Sequence, residues 1–113
     1  MELNRCDVKA KFMRGFSDKT RLQILESITH QEKTVSQIVD DLKGNQSNIS
    51  QHLACLKGCG IIVGRQDGKY IYYSLRNKEI AQLLTVMDAV FHQVEEEVAA
   101  CEKNDVLECC PAK

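Results

Sequence analysis

Two cysteines with the spacing of metal ligands lie near the middle of the chain. Cys55 and Cys59 are four residues apart at the end of a predicted helix, and glycines stand beside them at positions 58 and 60. Residues four apart on a helix share one face, so both thiols project to the same side. Because thiolate sulfur favours soft or borderline ions, the pair predicts a site for cadmium, lead, zinc or arsenite rather than magnesium or manganese.

Four further cysteines are spread over the chain, and they are Cys6, Cys101, Cys109 and Cys110. The first residues are charged and contain no apolar stretch suited to a signal peptide, and no apolar run approaches the roughly 18 residues of a membrane span. We therefore expect a cytoplasmic protein without a membrane partner, in which cysteines serve metal or redox chemistry instead of disulfides. Cys6 is expected to be a small buried residue, with a metal or thiol role as the alternative. The last two cysteines are either additional ligands or part of a tail without a role.

The helix that carries the cysteine pair begins with uncharged polar residues. Its predicted buried stripe is Ile49, Leu53 and Leu56, which leaves the polar residues on the other faces. Amides and hydroxyls both donate and accept hydrogen bonds, as the reading of base edges requires. With the short helix before it and the glycine-containing turn between them, the segment predicts a helix-turn-helix. The residues of this helix expected to contact DNA are Gln46, Ser47, Asn48, Ser50, Gln51, His52 and Lys57.

A β-hairpin is predicted directly after that helix. β-Branched and aromatic residues are enriched at 61–65 and 69–75, on both sides of an Asp-Gly pair, which is a strong hairpin signal. A hairpin that follows a DNA-reading helix is a wing. Near its tip, Arg65 and Lys69 are placed to hold phosphate or to reach the minor groove.

The charge and the size of the chain favour a DNA-binding dimer. The net charge is −1 over 113 residues, but residues 45–78 carry five Lys or Arg against one Asp or Glu, and residues 79–113 carry two against eight. A basic middle segment suits a polyanion, and an acidic end suits a solvated or dimer-forming helix. The length allows one domain, and because aromatic residues make up only 5%, its small core is expected to need a partner subunit.

Helices are predicted on both sides of this segment. The first spans residues 7–16, the second spans 19–29 after a cap at Ser17 or Asp18, and the third begins at Thr34 with a capping box and ends at Gly44. A long helix over 77–103 has an apolar stripe that a second copy of the chain can bury, and Cys101 continues that stripe. The predicted fold is mainly α with a β-hairpin wing: one winged-helix domain over 1–113, with 1–17 and 77–103 for dimerisation and 104–113 as a flexible tail.

Three motifs in this order resemble the ArsR/SmtB family of bacterial winged-helix repressors. They are Asp-Lys-Thr-Arg-Leu-Gln-Ile-Leu at 18–25, Ser-Asn-Ile-Ser-Gln-His-Leu at 47–53, and Tyr-Ile-Tyr-Tyr-Ser-Leu at 70–75. The resemblance covers about residues 5–103. It implies a homodimer that binds double-stranded operator DNA without a ligand and leaves it when a metal ion binds.

The sensing site varies within that family. Sensors with a thiolate pair in the helix before the recognition helix need cysteines near 38–42, where this chain has none, and Asp88, His92 and Glu96 make only part of the set that zinc sensors use in the last helix. The Cys-Leu-Lys-Gly-Cys-Gly element at 55–60 is similar instead to the CmtR type, which senses cadmium and lead. The resemblance implies that Cys55 and Cys59 bind the metal together with Cys101 from the other subunit.

Other functions compete with a cadmium or lead sensor. An arsenite-responsive repressor would use Cys101, Cys109 and Cys110. A thiol-redox repressor would instead pair Cys55 or Cys59 with another cysteine. An enzyme is not expected, because the sequence shows no nucleophile–base pair, phosphate loop or catalytic metal signature. His30 and His92 are expected to be surface residues.

Overall fold

The structure is a computed structural model that describes residues 4–101 of the 113-residue chain. Its elements follow one another as α1 (Arg5–Met13), a short 3-10 helix (Arg14–Phe16), α2 (Lys19–Ser27), α3 (Val35–Leu42), α4 (Gln46–Gly58), β1 (Ile62–Asp67), β2 (Tyr70–Leu75) and α5 (Lys78–Ala100). The mainly α fold with a hairpin is therefore confirmed. Cys109, Cys110 and the predicted tail at 104–113 lie outside the described residues. None of the described helices is long and apolar enough to cross a membrane.

Side-chain caps determine where the helices begin. Asp18, and not Ser17, caps α2 by accepting a hydrogen bond from the backbone N–H of Arg21 at 3.2 Å. Thr34 and Gln37 form the predicted capping box of α3, with N···O distances of 3.3 and 2.9 Å. These two helix starts were therefore readable from local sequence, because each cap satisfies backbone donors that the first turn leaves without a partner.

The end of α3 differs from the prediction by one residue. Lys43, and not Gly44, adopts the left-handed conformation, with φ of 53°. Gly44 serves a packing purpose instead, because a Cβ there would lie 3.3 Å from Ile49 Cδ1 at the start of α4. The missing side chain lets the turn between α3 and α4 lie close to Ile49 in the first turn of α4.

The core of the compact unit that ends at Ala81 is almost entirely aliphatic. Its fully buried side chains come from α2, α3, α4, β1 and the residues next to α2 and β1, and they are Ile24, Leu25, Ile28, Ile38, Ile49, Leu53, Leu56, Ile61 and Ile62. The 3-10 helix packs against this core at Gly15, where a Cβ would lie 2.2 Å from Ile61 Cδ1. The predicted apolar stripe of α4 is confirmed.

The hairpin has a two-residue turn and an additional tie to the body of the unit. β1 and β2 pair antiparallel from Ile62–Leu75 to Asp67–Tyr70, so Gly68 and Lys69 form the turn. Gly68 has φ of 64°, which suits a turn with glycine at its first central position. On the other side of β2, the backbone N–H groups of Lys33 and Tyr73 donate to each other's carbonyls at 3.0 and 2.7 Å. The wing is therefore fastened to the segment between α2 and α3.

The last helix exposes the apolar stripe that the sequence predicts. α5 begins where the Asn77 side chain accepts a hydrogen bond from Ile80 N at 3.0 Å, and Ile80 itself is buried. From Gln82 onward the chain forms a second compact unit. Its exposed apolar side chains are Leu83, Val86, Met87, Val90, Phe91, Val94 and Val98, each at least 36% exposed.

Candidate functional site

Two helices joined by a tight turn present the predicted DNA-reading surface. Three residues connect α3 to α4, and Asn45 caps α4 by accepting a hydrogen bond from the backbone N–H of Asn48 at 3.0 Å. With the apolar face of α4 buried, the side chains of its first turns point to solvent. The exposed polar residues are Gln46, Ser47, Asn48, Ser50 and Gln51. This end of α4 therefore presents amides and hydroxyls without charged groups among them.

His52 has a different environment from the polar residues before it. Its side chain is only 18% exposed, and its Nδ1 accepts a hydrogen bond from Nε of Arg21 at 3.1 Å. Its Nε2 lies 3.7 Å from a carboxylate oxygen of Asp18. Arg21 also donates from Nη1 to the carbonyl of Arg14 at 3.0 Å. Through this hydrogen bond to Arg21, His52 joins α4 to the start of α2.

The wing arginine has a protein partner as well. Nε and Nη2 of Arg65 donate to the two carboxylate oxygens of Glu32 at 3.1 and 2.5 Å, and its guanidinium carbon lies 5.0 Å from the centre of the Tyr72 ring. Asp67 is a weaker neighbour, 3.9 Å from Nη1. No local signal indicates this contact, because Glu32 and Arg65 are 33 positions apart in sequence.

The pH behaviour of this pair follows from its hydrogen bonds. The bond from Arg65 holds the pKa of the Glu32 carboxyl below its usual value of 4.5, and the bond to Glu32 raises the pKa of Arg65. Both groups are therefore charged at neutral pH. Because the carboxyl pKa is lowered on folding, the pair's contribution to stability is present above the usual value and is lost as the pH falls through the lowered one.

Lys69, at the turn, is exposed and its Nζ lies 6.0 Å from the centre of the Tyr70 ring.

The cysteine pair occupies the opposite end of α4 from the polar surface. Cys55 is exposed, Cys59 is half-buried, and the backbone N–H of Cys59 donates to the carbonyl of Cys55 at 3.0 Å, so the two residues are one helical turn apart. The Cys59 thiol also contacts the carbonyl of Lys11 in α1, with a sulfur–oxygen distance of 3.7 Å. Lys57, between the two cysteines, is exposed. Two thiols with this spacing suit a soft metal ion but supply only part of a coordination shell.

The remaining candidate ligands within the described residues are Cys6 and Cys101. Cys6, expected to be buried, is exposed on α1, a helix that contributes no buried residue, so that prediction is wrong. Cys101 is half-buried directly after α5. Within residues 4–101 of a single chain, no three His, Cys, Asp or Glu side chains are grouped closely enough to hold a metal ion. His30 and His92 are exposed, as expected, and His92 Nδ1 lies 3.3 Å from a Glu95 oxygen.

Comparisons with known sequences point to bacterial regulators. Residues 18–63 match the family described as bacterial regulatory protein, arsR family. The chain is also 32% identical over 104 residues to a probable mercury resistance operon repressor of Streptomyces lividans, an alignment that covers 92% of this chain and 76% of that protein.

Two solved structures have a similar fold. A homodimeric winged helix-turn-helix DNA-binding domain from Mycobacterium bovis has a TM-score of 0.73 and 26% identity, covering 80% of this chain and 85% of that one. The cadmium metal-sensor CMTR from Mycobacterium tuberculosis has a TM-score of 0.60 and 33% identity, covering 67% of this chain and 79% of that one. The five helices and hairpin described above are therefore a winged helix-turn-helix.

The hydrogen bonds of Arg21 predict a measurable role in holding the recognition helix. Arg21→Ala removes the donor to His52 and one donor to the Arg14 carbonyl, so we expect it to lower the free energy of unfolding by about 1–2 kcal/mol. Arg14→Ala is the matched control, because that side chain is exposed and the change keeps its carbonyl; a surface change of this kind costs less than about 0.5 kcal/mol. Urea unfolding of both variants measures the difference. Equal stability of the two variants would contradict this role.

Proposed function

The chain belongs to the ArsR family of bacterial regulatory proteins, metal-responsive repressors that bind DNA and are not enzymes, and we propose a specific function within it. The metal-free homodimer binds operator DNA, and it leaves the DNA when cadmium or lead binds to cysteine thiolates. The observation that carries this proposal is the arrangement of α4, which has exposed uncharged polar side chains on its first turns and the Cys55–Cys59 pair at its end. An ion bound at one end of this helix acts on the same element that reads DNA at the other.

The contacts to DNA divide into two kinds. Base edges are read by exposed amides and hydroxyls at the start of α4, of which Gln51 is the principal reader. Phosphates are held by Lys57 and Lys69, together with backbone N–H groups at the start of the helix. We assign His52 to holding α4 through Arg21 and Asp18, in place of the DNA contact expected from sequence, and Arg65 is hydrogen-bonded to Glu32 in the free protein.

Dimerisation is supported by apolar surface outside the core. Along α5, Met87, Val90 and Val94 are at least 36% exposed, and on α1 Val8 and Met13 are 49% and 57% exposed. Isolated apolar side chains on a surface are ordinary, but a stripe along a long helix indicates a partner. A second copy of the chain fits, because the similar winged-helix domain from Mycobacterium bovis is a homodimer.

The metal ligands in this proposal are Cys55 and Cys59 of one subunit and Cys101 of the partner subunit. Two thiols one turn apart need at least one more donor, and Cys101 directly follows α5, whose 23 residues rise about 35 Å along the helix axis. Three thiolates without histidine favour a large soft ion such as cadmium or lead. When bound, the metal cross-links α4 of one subunit to the end of α5 of the other.

Metal and DNA then oppose each other through the spacing of the two recognition helices. An ion stabilises the dimer geometry in which its ligands meet, and operator half-sites require one particular separation of the two copies of α4. If the two geometries differ, metal lowers DNA affinity and DNA lowers metal affinity by the same factor, typically about 5-fold to 150-fold.

Titration of the reduced protein with metal ions tests the proposal. Cadmium or lead is expected to produce a sulfur-to-metal charge-transfer band that saturates at about one ion per subunit, and to weaken binding to a duplex selected from a random pool by at least about tenfold. Cys55→Ser and Cys59→Ser should abolish both effects, whereas Cys6→Ser, which removes an exposed thiol from α1, should leave them intact.

Other outcomes of this titration identify the competing functions. DNA release by an oxidant, with no metal effect, would establish a thiol-redox repressor. Release by arsenite that survives both serine variants would establish a site at Cys101, Cys109 and Cys110. Mercury belongs in the titration because of the relative in Streptomyces lividans, which is a probable mercury resistance operon repressor.

The two kinds of DNA contact predict different effects of two variants on DNA affinity. Gln51→Ala should reduce the ratio of affinities for selected and mixed-sequence duplexes by about 5-fold or more, because it removes hydrogen bonds to base edges. Lys69→Ala should weaken binding to both duplexes equally and lower the salt slope by about one for each subunit. Fluorescence anisotropy over a range of KCl concentrations measures both. The same sequence-independent loss in both variants would show that Gln51 does not read bases.

A further inference from the structure

The guanidinium edge of Arg65 that would hold a phosphate is already occupied within the chain. Both N–H groups on that edge, at Nε and Nη2, donate to Glu32. Carboxylate and phosphate use this planar fork in the same two-bond manner, so the same edge cannot hold both. With Glu32 on one side and Asp67 3.9 Å from Nη1, two carboxylates neutralise the one cation.

The backbone keeps Glu32 in this position. Glu32 directly precedes Lys33, which is hydrogen-bonded through N–H and carbonyl to Tyr73 in β2. This bridge holds the Glu32 backbone beside β2, and its side chain reaches Arg65 on the neighbouring strand β1, where the Tyr72 ring also lies against the guanidinium. The Glu32 carboxylate is therefore held by a backbone segment that is hydrogen-bonded to β2.

The ion pair between Arg65 and Glu32 is partly exposed to solvent. The side chains of Arg65 and Glu32 are 54% and 38% exposed, so both groups can be hydrated when they separate. Ion pairs in such positions are weak because water and salt screen them. The closely spaced phosphates of a DNA backbone can therefore replace the carboxylate when the wing approaches a duplex.

We propose that Glu32 is an internal competitor for DNA phosphate at Arg65. In the free protein the Glu32 carboxylate binds Nε and Nη2 of Arg65. On DNA a backbone phosphate replaces the carboxylate, which is then hydrated. This inference rests on the DNA binding that the proposed function assigns to the wing. Because phosphates carry no sequence information, Glu32 lowers affinity for all duplexes alike and sets how strongly the wing contributes to binding.

Glu32→Gln in the metal-free, reduced protein tests the competition. The probe is a mixed-sequence duplex, and dissociation constants are measured over a series of KCl concentrations. We expect the variant to bind more tightly, by roughly twofold to fivefold for each subunit, because DNA no longer has to break a weak surface ion pair. The slope of log K against log salt should change by less than about one for each subunit, because a phosphate contacts Arg65 on DNA in both proteins, whereas Arg65→Ala should lower the slope by about one for each subunit.

Arg65→Ala and the double variant separate competition from a general effect of charge. If Glu32 acts through Arg65, the double variant binds as weakly as Arg65→Ala alone, because Glu32→Gln has no effect in that background. A gain that persists in the Arg65→Ala background would overturn the proposal, because it would reflect net charge only. Unchanged or weaker binding of Glu32→Gln would overturn it too, the weaker result showing that Glu32 positions Arg65 for DNA.

The outcome is independent of the metal response. Thermal unfolding of each variant, followed by circular dichroism, checks that the fold is retained, and Glu32→Ala repeats the test without an amide that can still accept from Arg65. Metal-induced release of DNA by the wild-type protein reports on the proposed function separately. Failure of Glu32→Gln to bind more tightly, with metal release intact, would refute this inference alone.

Discussion

The burial of one narrow face of α4 is the constraint on which the rest of the structure depends. Ile49, Leu53 and Leu56 are at most 1% exposed, and they pack among α2, α3 and β1. Once this face is inward, the rotation of the helix about its axis is determined. The amides and hydroxyls of the first turns then face solvent, and Cys55 is exposed one turn before Cys59. A single packing requirement thus orients both the polar surface predicted to read DNA and the thiol pair.

Polar contacts between distant parts of the chain refine that arrangement. Arg21 ties His52 to the start of α2, and the Lys33 bridge fastens the wing to the segment before α3. The backbone bridge at Lys33 also places the neighbouring Glu32 beside Arg65. The charged and hydrogen-bonding residues predicted to contact DNA are therefore not equivalent, since His52 and Arg65 already have partners within the protein.

Local signals in the sequence were sufficient for the elements and insufficient for these contacts. The caps at Asp18 and Thr34 satisfy nearby backbone groups, and the glycine in the hairpin turn adopts a positive φ, so their positions are encoded within a few residues. The pairing of Glu32 with Arg65 and the partial burial of His52 depend on tertiary packing, which sequence spacing does not reveal. The exposure of Cys6 has the same origin, because α1 contributes no buried residue to the core.

In the proposed function, one helix joins DNA reading to a metal site shared between two subunits. A mixed dimer tests it most directly, with one subunit carrying Cys55→Ser and Cys59→Ser and the other carrying Cys101→Ser, purified by two different affinity tags. If ligation crosses the interface, cadmium should produce the charge-transfer band at about half the wild-type amplitude, because one complete three-sulfur site is restored for each dimer. If the mixed dimer shows no band while the wild-type protein does, the three ligands do not meet across the interface, and a metal site shared between the subunits is refuted.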